Sequence, residues 1–504
     1  MNSVIYTKCS EALQHEEVKK STPGNNEIVE AFAELERGVY AALETYSNVH
    51  RGSGHNSVVS THLYEQARDI VLEYLELNKD KYIVIFCTPR RAKVLMTQLE
   101  SESFKSVSSQ DIGLSIGVRA LAVKMKALPR GIPFHTGGGT ARLVSPGWVI
   151  WADAPDKFEA GTPAIINVIA FARALRLIRQ SGKDLFKDST VDKLTAAEML
   201  YNDGLEKYSG QELLDKLRQT LISRDVLVPT IEGVRPFINL DNSASTPTFT
   251  PIWDAVCQAW RQPRQVQQEI IHEVRSICAG VLGAPLAAYD VIFTSNTTEA
   301  VAHRKVGMEE CGIDYLAFSA HKVYAPFGSG VLLVRKGLLN FSPVEMELIQ
   351  SSGEENAGGI AALGKSLVLL QRIGLDLIRD EEQVLTGQGG IGVRYGCHCA
   401  HLLIKRLLNI NPLLEWFQGL ILILFPKIIL PGLVRVSLGI ENSEEDVDTL
   451  IHMLGKIARQ PRVGMERHLA STLNGTSIMS QTDIHQQMDD FVRAAAQRVY
   501  TQLK

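Results

Sequence analysis

Residues 318–330, FSAHKVYAPFGSG, continue an apolar run begun at Tyr315 and set His321 and Lys322 between a strand ending and a glycine-rich turn. YLAFS, residues 315–319, reads as a buried strand. A lysine held there, beside Ser319 and His321, is suited to an imine with a phosphate-anchored aldehyde. The pattern has an earlier counterpart. SAHKVYAPFGSGVLLV, 319–334, lies without a gap over SSQDIGLSIGVRALAV, 108–123, at an offset of 211. Residues 275–295 lie over 68–88 at an offset of 207, so that Arg275 meets Arg68 and Phe293 meets Phe86. Residues 350–367 lie over 158–175 at an offset of 192. Three matches in one order argue for two copies of one architecture.

The local patterns give an α/β chain. Ile28, Phe32, Leu35, Val39 and Leu43 recur at helical spacing, so 27–45 reads as an amphipathic helix. Leu63, Ala67, Ile70, Val71 and Tyr74 mark a second helix, and the β-branched run 82–86 a buried strand. The expected division is a polar segment 1–26, a first lobe 27–180, a helical connector 181–236, a second lobe 237–460, and a polar linker with an amphipathic helix over 461–504. That last helix carries Ile484, Met488, Phe491, Ala495, Val499 and Leu503, a face that must pack on the body or on a partner.

Composition narrows the function. The chain has 504 residues, 45% hydrophobic and 21% charged, which suits a folded enzyme-sized protein and excludes a disordered or collagen-like one. With 52 basic and 56 acidic residues, net charge is −4, which leaves no footprint for nucleic acid or an acidic membrane. Seven cysteines spread over so long a chain fit a reducing compartment better than a disulfide framework. Residues 1–26 hold no apolar stretch of signal-peptide type. The most apolar window, 419–434, is broken by Pro426, Lys427 and Pro431 and falls short of the ~18–20 residues of a membrane span. A cytoplasmic location is expected.

The second copy carries the chemistry-bearing residues. It opens on DNSASTP, 241–247. FTSNTTEA, 293–300, runs from a strand into Thr297 and Thr298, whose hydroxyls and backbone N–H groups at a helix start would suit a phosphate. VRYGCHCAHLL, 393–403, sets Cys397 and Cys399 around His398. Arg394 and His398 would favour the Cys399 thiolate, although an inert core thiol is the ordinary role of a free cysteine. Metal binding by Cys397, His398 and Cys399 lacks a second cysteine pair. VRVSLGIENSEEDVDTL, 434–450, presents Arg435 on a strand, where it would either grip a carboxylate or make a surface ion pair.

Taken in order, these motifs resemble the class V aminotransferase family of pyridoxal-phosphate enzymes of fold type I, and within it the cysteine desulfurase and selenocysteine lyase branch. That branch carries a D-x-A-A-T start, a G-T-T-E phosphate loop, an S-x-H-K lysine, an R-x-G-x-x-C-A cysteine segment and an R-x-S-x arginine. The resemblance implies that Lys322 bonds the cofactor aldehyde and that Ser319, His321, Thr297 and Thr298 hold its phosphate. Cys399 would take sulfur from cysteine as a persulfide. Arg435, with Asn242 and Arg394, would bind the amino-acid substrate, and a sulfur-acceptor protein becomes a possible partner. The implied fold is two truncated tandem fold type I lobes with mixed, mostly parallel sheets.

The sequence also departs from the family. Thr298 and Lys322 are 24 positions apart, where the family interposes several βα units. The ring-stacking histidine and the D-x-A-Q aspartate that pairs with the pyridine nitrogen belong to those units, and neither is found in the second copy. A second shortening falls near 384–390. The first copy has Asp111 at the place of Lys322 and Gln110 at that of His321, and an aspartate cannot form an imine. Yet NVHRG, 48–52, and the segments GGGTARLV and FEAGTP within 137–163 match the family well; in the gapless overlay Glu354 falls on Thr162. Family dimers lend such a Gly-rich loop and threonine across the interface. Thr162 and residues 137–139 are therefore expected to complete the site around Lys322, as an internal pseudo-dimer or in a homodimer. The alternatives are a catalytically inactive remnant or scaffold, and an incomplete gene model with segments missing at the two joins.

Overall fold

The computed structural model describes residues 25–49, 54–182, 185–186, 193–230, 233–294, 307–377, 436–459 and 481–501, together with 395–396, 417 and 433–434. The first lobe runs α1 (Asn25–Glu44), α2 (His55–Tyr74), β1 (Tyr82–Cys87), α3 (Pro89–Met96), β2 (Phe104–Ser108), β3 (Arg119–Lys124), β4 (Ala141–Val144), β5 (Val149–Trp151) and α4 (Ile165–Ser181). The connector holds α5 (Ala196–Tyr201), α6 (Gly210–Arg218) and a hairpin of β6 (Leu227–Thr230) and β7 (Gly233–Pro236), so it is not helical throughout. The second lobe runs α7 (Thr250–Arg261), α8 (Arg264–Val281), β8 (Tyr289–Thr294), β9 (Tyr315–Ser319), β10 (Gly330–Arg335), α9 (Pro343–Glu354) and α10 (Ala357–Ile373). The short pair β11 (Tyr395–Gly396) and β12 (Leu433–Val434) follows, then α11 (Glu444–Arg459) and α12 (Gln481–Tyr500).

The apolar stripe of α1 is buried as its spacing predicts, with Phe32, Leu35 and Val39 at or below 1% exposure. Helix α4 is apolar almost all round and becomes a central helix, packed on α1 and α2; α10 packs in the same way on α7 and α8. Local signals set the shorter helices. Thr88 caps α3 by accepting from Arg91 N, with Pro89 in the first turn, and Ser342 and Glu345 form a capping box on α9.

Each lobe builds one three-stranded sheet, ordered β1-β3-β2 in the first and β8-β10-β9 in the second. The registers correspond as well. Tyr82 faces Lys124 and Tyr289 faces Arg335; Phe104 faces Val123 and Tyr315 faces Val334. The strands begin at matching places, Tyr82 with Tyr289, Phe104 with Tyr315 and Arg119 with Gly330, and the central helices at Ile165 and Ala357.

The α/β class stands, but the expectation of mostly parallel sheets is corrected. Every strand pairing among the described elements is antiparallel, apart from one isolated parallel bridge between Asp241 and Ser437. The reason is loop length. Residues 109–118 alone join β2 to β3, and 320–329 alone join β9 to β10. A parallel connection needs a crossover of about a dozen residues or more. The outer strands of each sheet run in one direction, antiparallel to the strand between them.

Helix α12 packs on α1, α2 and α4 of the first lobe, so its apolar face is spent on the body of the chain. Val499 and Tyr500 are buried there, and the Tyr500 hydroxyl donates to Leu63 O at 2.8 Å. Helices α5 and α6 cover the corresponding face of the second lobe, against α10. Among the described residues, no helix is long and apolar enough to cross a membrane.

Candidate functional site

Lys322 closes a 3-10 turn, Ala320–Lys322, at the exit of β9. Ala320 N donates to Ser329 O at 2.9 Å, and Val323 N and Ala325 N both donate to Ala320 O. Tyr324 adopts φ 66°, a conformation that costs a side-chain-bearing residue about 1–3 kcal/mol and persists only where neighbours impose it. The neighbours come from 241–248. Thr246 N donates to His321 O at 2.8 Å, Tyr324 N donates to Thr246 Oγ1 at 2.7 Å, and the Thr248 hydroxyl donates to Tyr324 O at 2.8 Å. The DNSASTP motif is thus the strap that holds the lysine turn.

Ser319 is fully buried and His321 is 6% exposed. Burial, with the Lys322 charge adding to it, pushes the His321 imidazole down to about 3, so it is neutral at ordinary pH. Lys322 is half-buried, and its ammonium donates to Ser243 O at 3.2 Å. Asn242 is buried with its carboxamide joined to Asn239 and Asn442, and its N–H faces Ser437 O. The structure therefore brings Ser319, His321, Lys322 and Asn242 together. Thr297, Thr298, Arg394, Cys397, His398, Cys399 and Arg435 lie outside the described residues.

The first lobe reaches the same region. Ala164, two residues beyond the half-buried Thr162, lies against Gly328 of the lysine turn: a Cβ on Gly328, at φ 70°, would sit 2.5 Å from Ala164 Cβ. Gly161 N donates to Gly138 O at 2.8 Å, which ties the Gly-rich loop to the Thr162 segment. Tyr46, just beyond α1, shares a hydrogen bond with Ser245. In α2, Asn56 is buried with both carboxamide atoms unpartnered among the described residues.

Three features escaped the sequence reading. Tyr46 precedes the NVHRG segment that was singled out, but nothing local points to Ser245. Glu441, whose carboxyl is pushed up by burial, accepts from Asn239 Nδ2, a partner that nothing local in 434–450 announces. The Arg275–Glu354 ion pair shows that Glu354 does the work of Glu159, which pairs with Arg68, rather than standing at the place of Thr162. Gapless overlay could not see the small shift in register between the two copies. At the first-lobe counterpart of Lys322, the Asp111 carboxylate accepts from Ser108 N at 2.8 Å and locks a turn.

These residues fit one end of pyridoxal phosphate. Thr294 Oγ1, at the end of β8 where the phosphate segment begins, is buried without a partner among the described residues. Ser319 and His321 offer buried polar groups beside a reachable lysine. Among the described residues of the connection between β8 and β9, 307–314, the one aspartate, Asp314, is paired with Arg335 at 2.7 Å and offers no free carboxylate to the ring end. Among the described residues, no group of acids, histidines and cysteines could hold a metal ion.

The aminotransferase class-V family model matches residues 104–223 and 299–386. A cysteine desulfurase of Salmonella newport (strain SL254) is 26% identical over 222 residues, covering 32% of this chain and 50% of the relative. A cysteine desulfurase of Salmonella typhi gives the same figures. The chain spans about half the length of the curated relatives it matches. Among solved structures, a cysteine desulfurase of Thermococcus onnurineus NA1 overlaps 86% of this chain and 91% of its own, at 16% identity and a TM-score of 0.23, too low to carry a structural argument.

Proposed function

We propose, from the premise that this chain is class V aminotransferase-like, that it binds pyridoxal phosphate at Lys322 as a shortened cysteine desulfurase folded as an internal pseudo-dimer. The observation that carries this reading is the lysine turn. Lys322 stays reachable while Ser319 and His321 are buried beneath it, and the turn is strapped by Thr246 and Thr248 and abutted by Ala164 of the other lobe. Bound pyridoxal phosphate would supply an electron sink for an amino-acid substrate. The chain's own residues would do the rest. Ser319, Thr297 and Thr298 hold the phosphate by hydrogen bonds, and His321 does so as a neutral donor. Thr162 and the loop at 137–139 close the site from the first lobe. Arg435, with Asn242 and Arg394, orients a cysteine-like substrate by its carboxylate. Cys399 receives sulfur as a persulfide for a sulfur-acceptor protein, in the cytoplasm.

Incubation with pyridoxal phosphate tests it. The expected result is the near-visible absorbance band of a lysine-bound cofactor, lost in Lys322→Ala. No band at excess cofactor, or a band that survives the substitution, removes the assignment. Mass spectrometry of Cys399 after exposure to cysteine then tests the desulfurase part.

The short β8–β9 connection favours a second reading, a non-catalytic remnant that keeps the lobes as a scaffold. A folded protein that shows no cofactor band at excess pyridoxal phosphate would select it.

A further inference from the structure

Two carboxamides meet where the lobes touch. Asn167, in the first turn of α4, donates from Nδ2 to Ile116 O at 2.7 Å and lies 3.2 Å from Asn356 Oδ1. Asn356, which caps α10, donates from its own Nδ2 to Phe327 O at 2.6 Å and accepts from Gly359 N at 3.0 Å. Ile116 and Phe327 are equivalent positions in the two lobes, and each precedes a positive-φ glycine: Gly117 at 65° and Gly328 at 70°. The glycines reach across reciprocally. A Cβ on Gly117 would meet Asn356 Cβ at 2.9 Å, as one on Gly328 would meet Ala164. Ala164 and Asn356 are equivalent too, since each directly precedes its central helix. A contact in which i touches j and the mate of j touches the mate of i is the signature of a two-fold interface. Asn167 and Asn356 are 1% and 5% exposed.

Phe327 lies inside the lysine turn, between Lys322 and Gly328, so Asn356 fixes that turn at a buried carbonyl and Asn167 fixes Asn356. A buried acceptor left without its donor is destabilised, and such a turn then rearranges. We infer that Asn167 is a positioning residue. Through Asn356 it makes the geometry of the Lys322 turn depend on the first lobe, in the manner of a partner subunit held permanently in place. The inference rests on Lys322 being the reactive lysine, but its test needs no cofactor.

The test is the pH profile of Lys322 labelling by trinitrobenzenesulfonate, followed by peptide mass spectrometry on the full chain. Asn167→Ala is expected to change the Lys322 rate at least threefold and to displace its profile, with other lysines unmoved. Glu34→Gln disturbs the same helix at its ion pair with Arg173, away from the junction, and should leave the profile in place. A superimposable Asn167→Ala profile, or an equal displacement in Glu34→Gln, overturns the inference. Asn167→Ser is read by the same criteria where the alanine variant does not fold. A displaced profile in a protein that takes no pyridoxal phosphate would leave the junction standing and remove only the proposed function.

Discussion

Arg68 and Arg275, at equivalent positions of the two lobes, grip their own sheets in the same way. Arg68 donates to Val84 O at 2.7 Å, pairs with Glu159 and lies over the Phe86 ring at 5.3 Å. Arg275 donates to Val291 O at 3.3 Å, pairs with Glu354 and lies over the Phe293 ring at 5.5 Å. Each guanidinium staples the helix before the first strand to the segment before the central helix. The settings differ in burial: side-chain exposures are 7% and 6% for Arg68 and Glu159, against 26% and 21% for Arg275 and Glu354.

That difference predicts unequal costs for one truncation. Glu159 also accepts from the Tyr64 hydroxyl at 3.0 Å and from Phe86 N at 2.7 Å, so Glu159→Ala strands two further donors and leaves the buried Arg68 cation only the exposed Glu65 carboxylate at 3.2 Å. Removing one partner of a buried pair costs about 3–5 kcal/mol. Glu354→Ala leaves a cation that water can reach and should cost only about 1 kcal/mol. Urea unfolding of the two variants measures both. Equal losses would mean that the lobes are not differently sealed.

The correspondence between the two lobes was visible in sequence where Arg68 and Phe86 meet Arg275 and Phe293 at one offset, but not at Glu159 and Glu354, which lie 91 and 79 positions from their arginines. Strand direction was misread: apolar runs look alike in parallel and antiparallel sheets, and the family resemblance suggested crossovers that loops as short as 109–118 and 320–329 cannot make. The lysine turn was legible from SAHK and the glycines after it. Its supports were not, because Thr246, Asn356 and Asn167 act through backbone carbonyls far away in sequence, and such pairings leave no local pattern.

Acid should weaken the fold through His321. Its folded value, about 3, lies below the ordinary 6.5, so between these limits the unfolded chain binds the extra proton. Stability is then fully present above pH 6.5 and falls as pH drops toward 3, by up to about 1.4 kcal/mol per pH unit for this one group. His321→Gln keeps a polar side chain without the titration. Chemical unfolding at pH 7 and pH 5 should show a smaller acid loss in the variant. An identical loss would show that His321 is not the group responsible.

Gly328 should not tolerate a methyl group. Its φ of 70° disfavours any side chain, and the added carbon would meet Ala164 Cβ at 2.5 Å. Left-handed backbone costs an L-residue about 1–2 kcal/mol before the clash is counted. Gly328→Ala is therefore expected to lower the melting temperature by several degrees. Gly312→Ala has a similar φ of 66° but open space around it and should pay the backbone term alone. Differential scanning calorimetry of the two separates strain from collision, and equal shifts would remove the lobe contact from the account.

Asp203 anchors the connector to the second lobe between two cations. Its side chain is inaccessible; Lys365 Nζ lies 3.2 Å from Oδ2 and the Arg372 guanidinium 2.8 Å. Lys365, on α10 and 1% exposed, also donates to Leu200 O and Asn202 O at the end of α5. Burial pulls the Lys365 ammonium below its ordinary value, and Asp203 offsets part of that cost. Asp203→Asn leaves two cations without their anion and should cost about 3–5 kcal/mol. Lys365→Met removes one of those charges and fills its channel with an apolar chain of similar length. The double variant should therefore lose less than the two single losses added together, and a double-mutant cycle in urea gives the difference. Strict additivity would mean that Asp203 and Lys365 do not act as one buried unit.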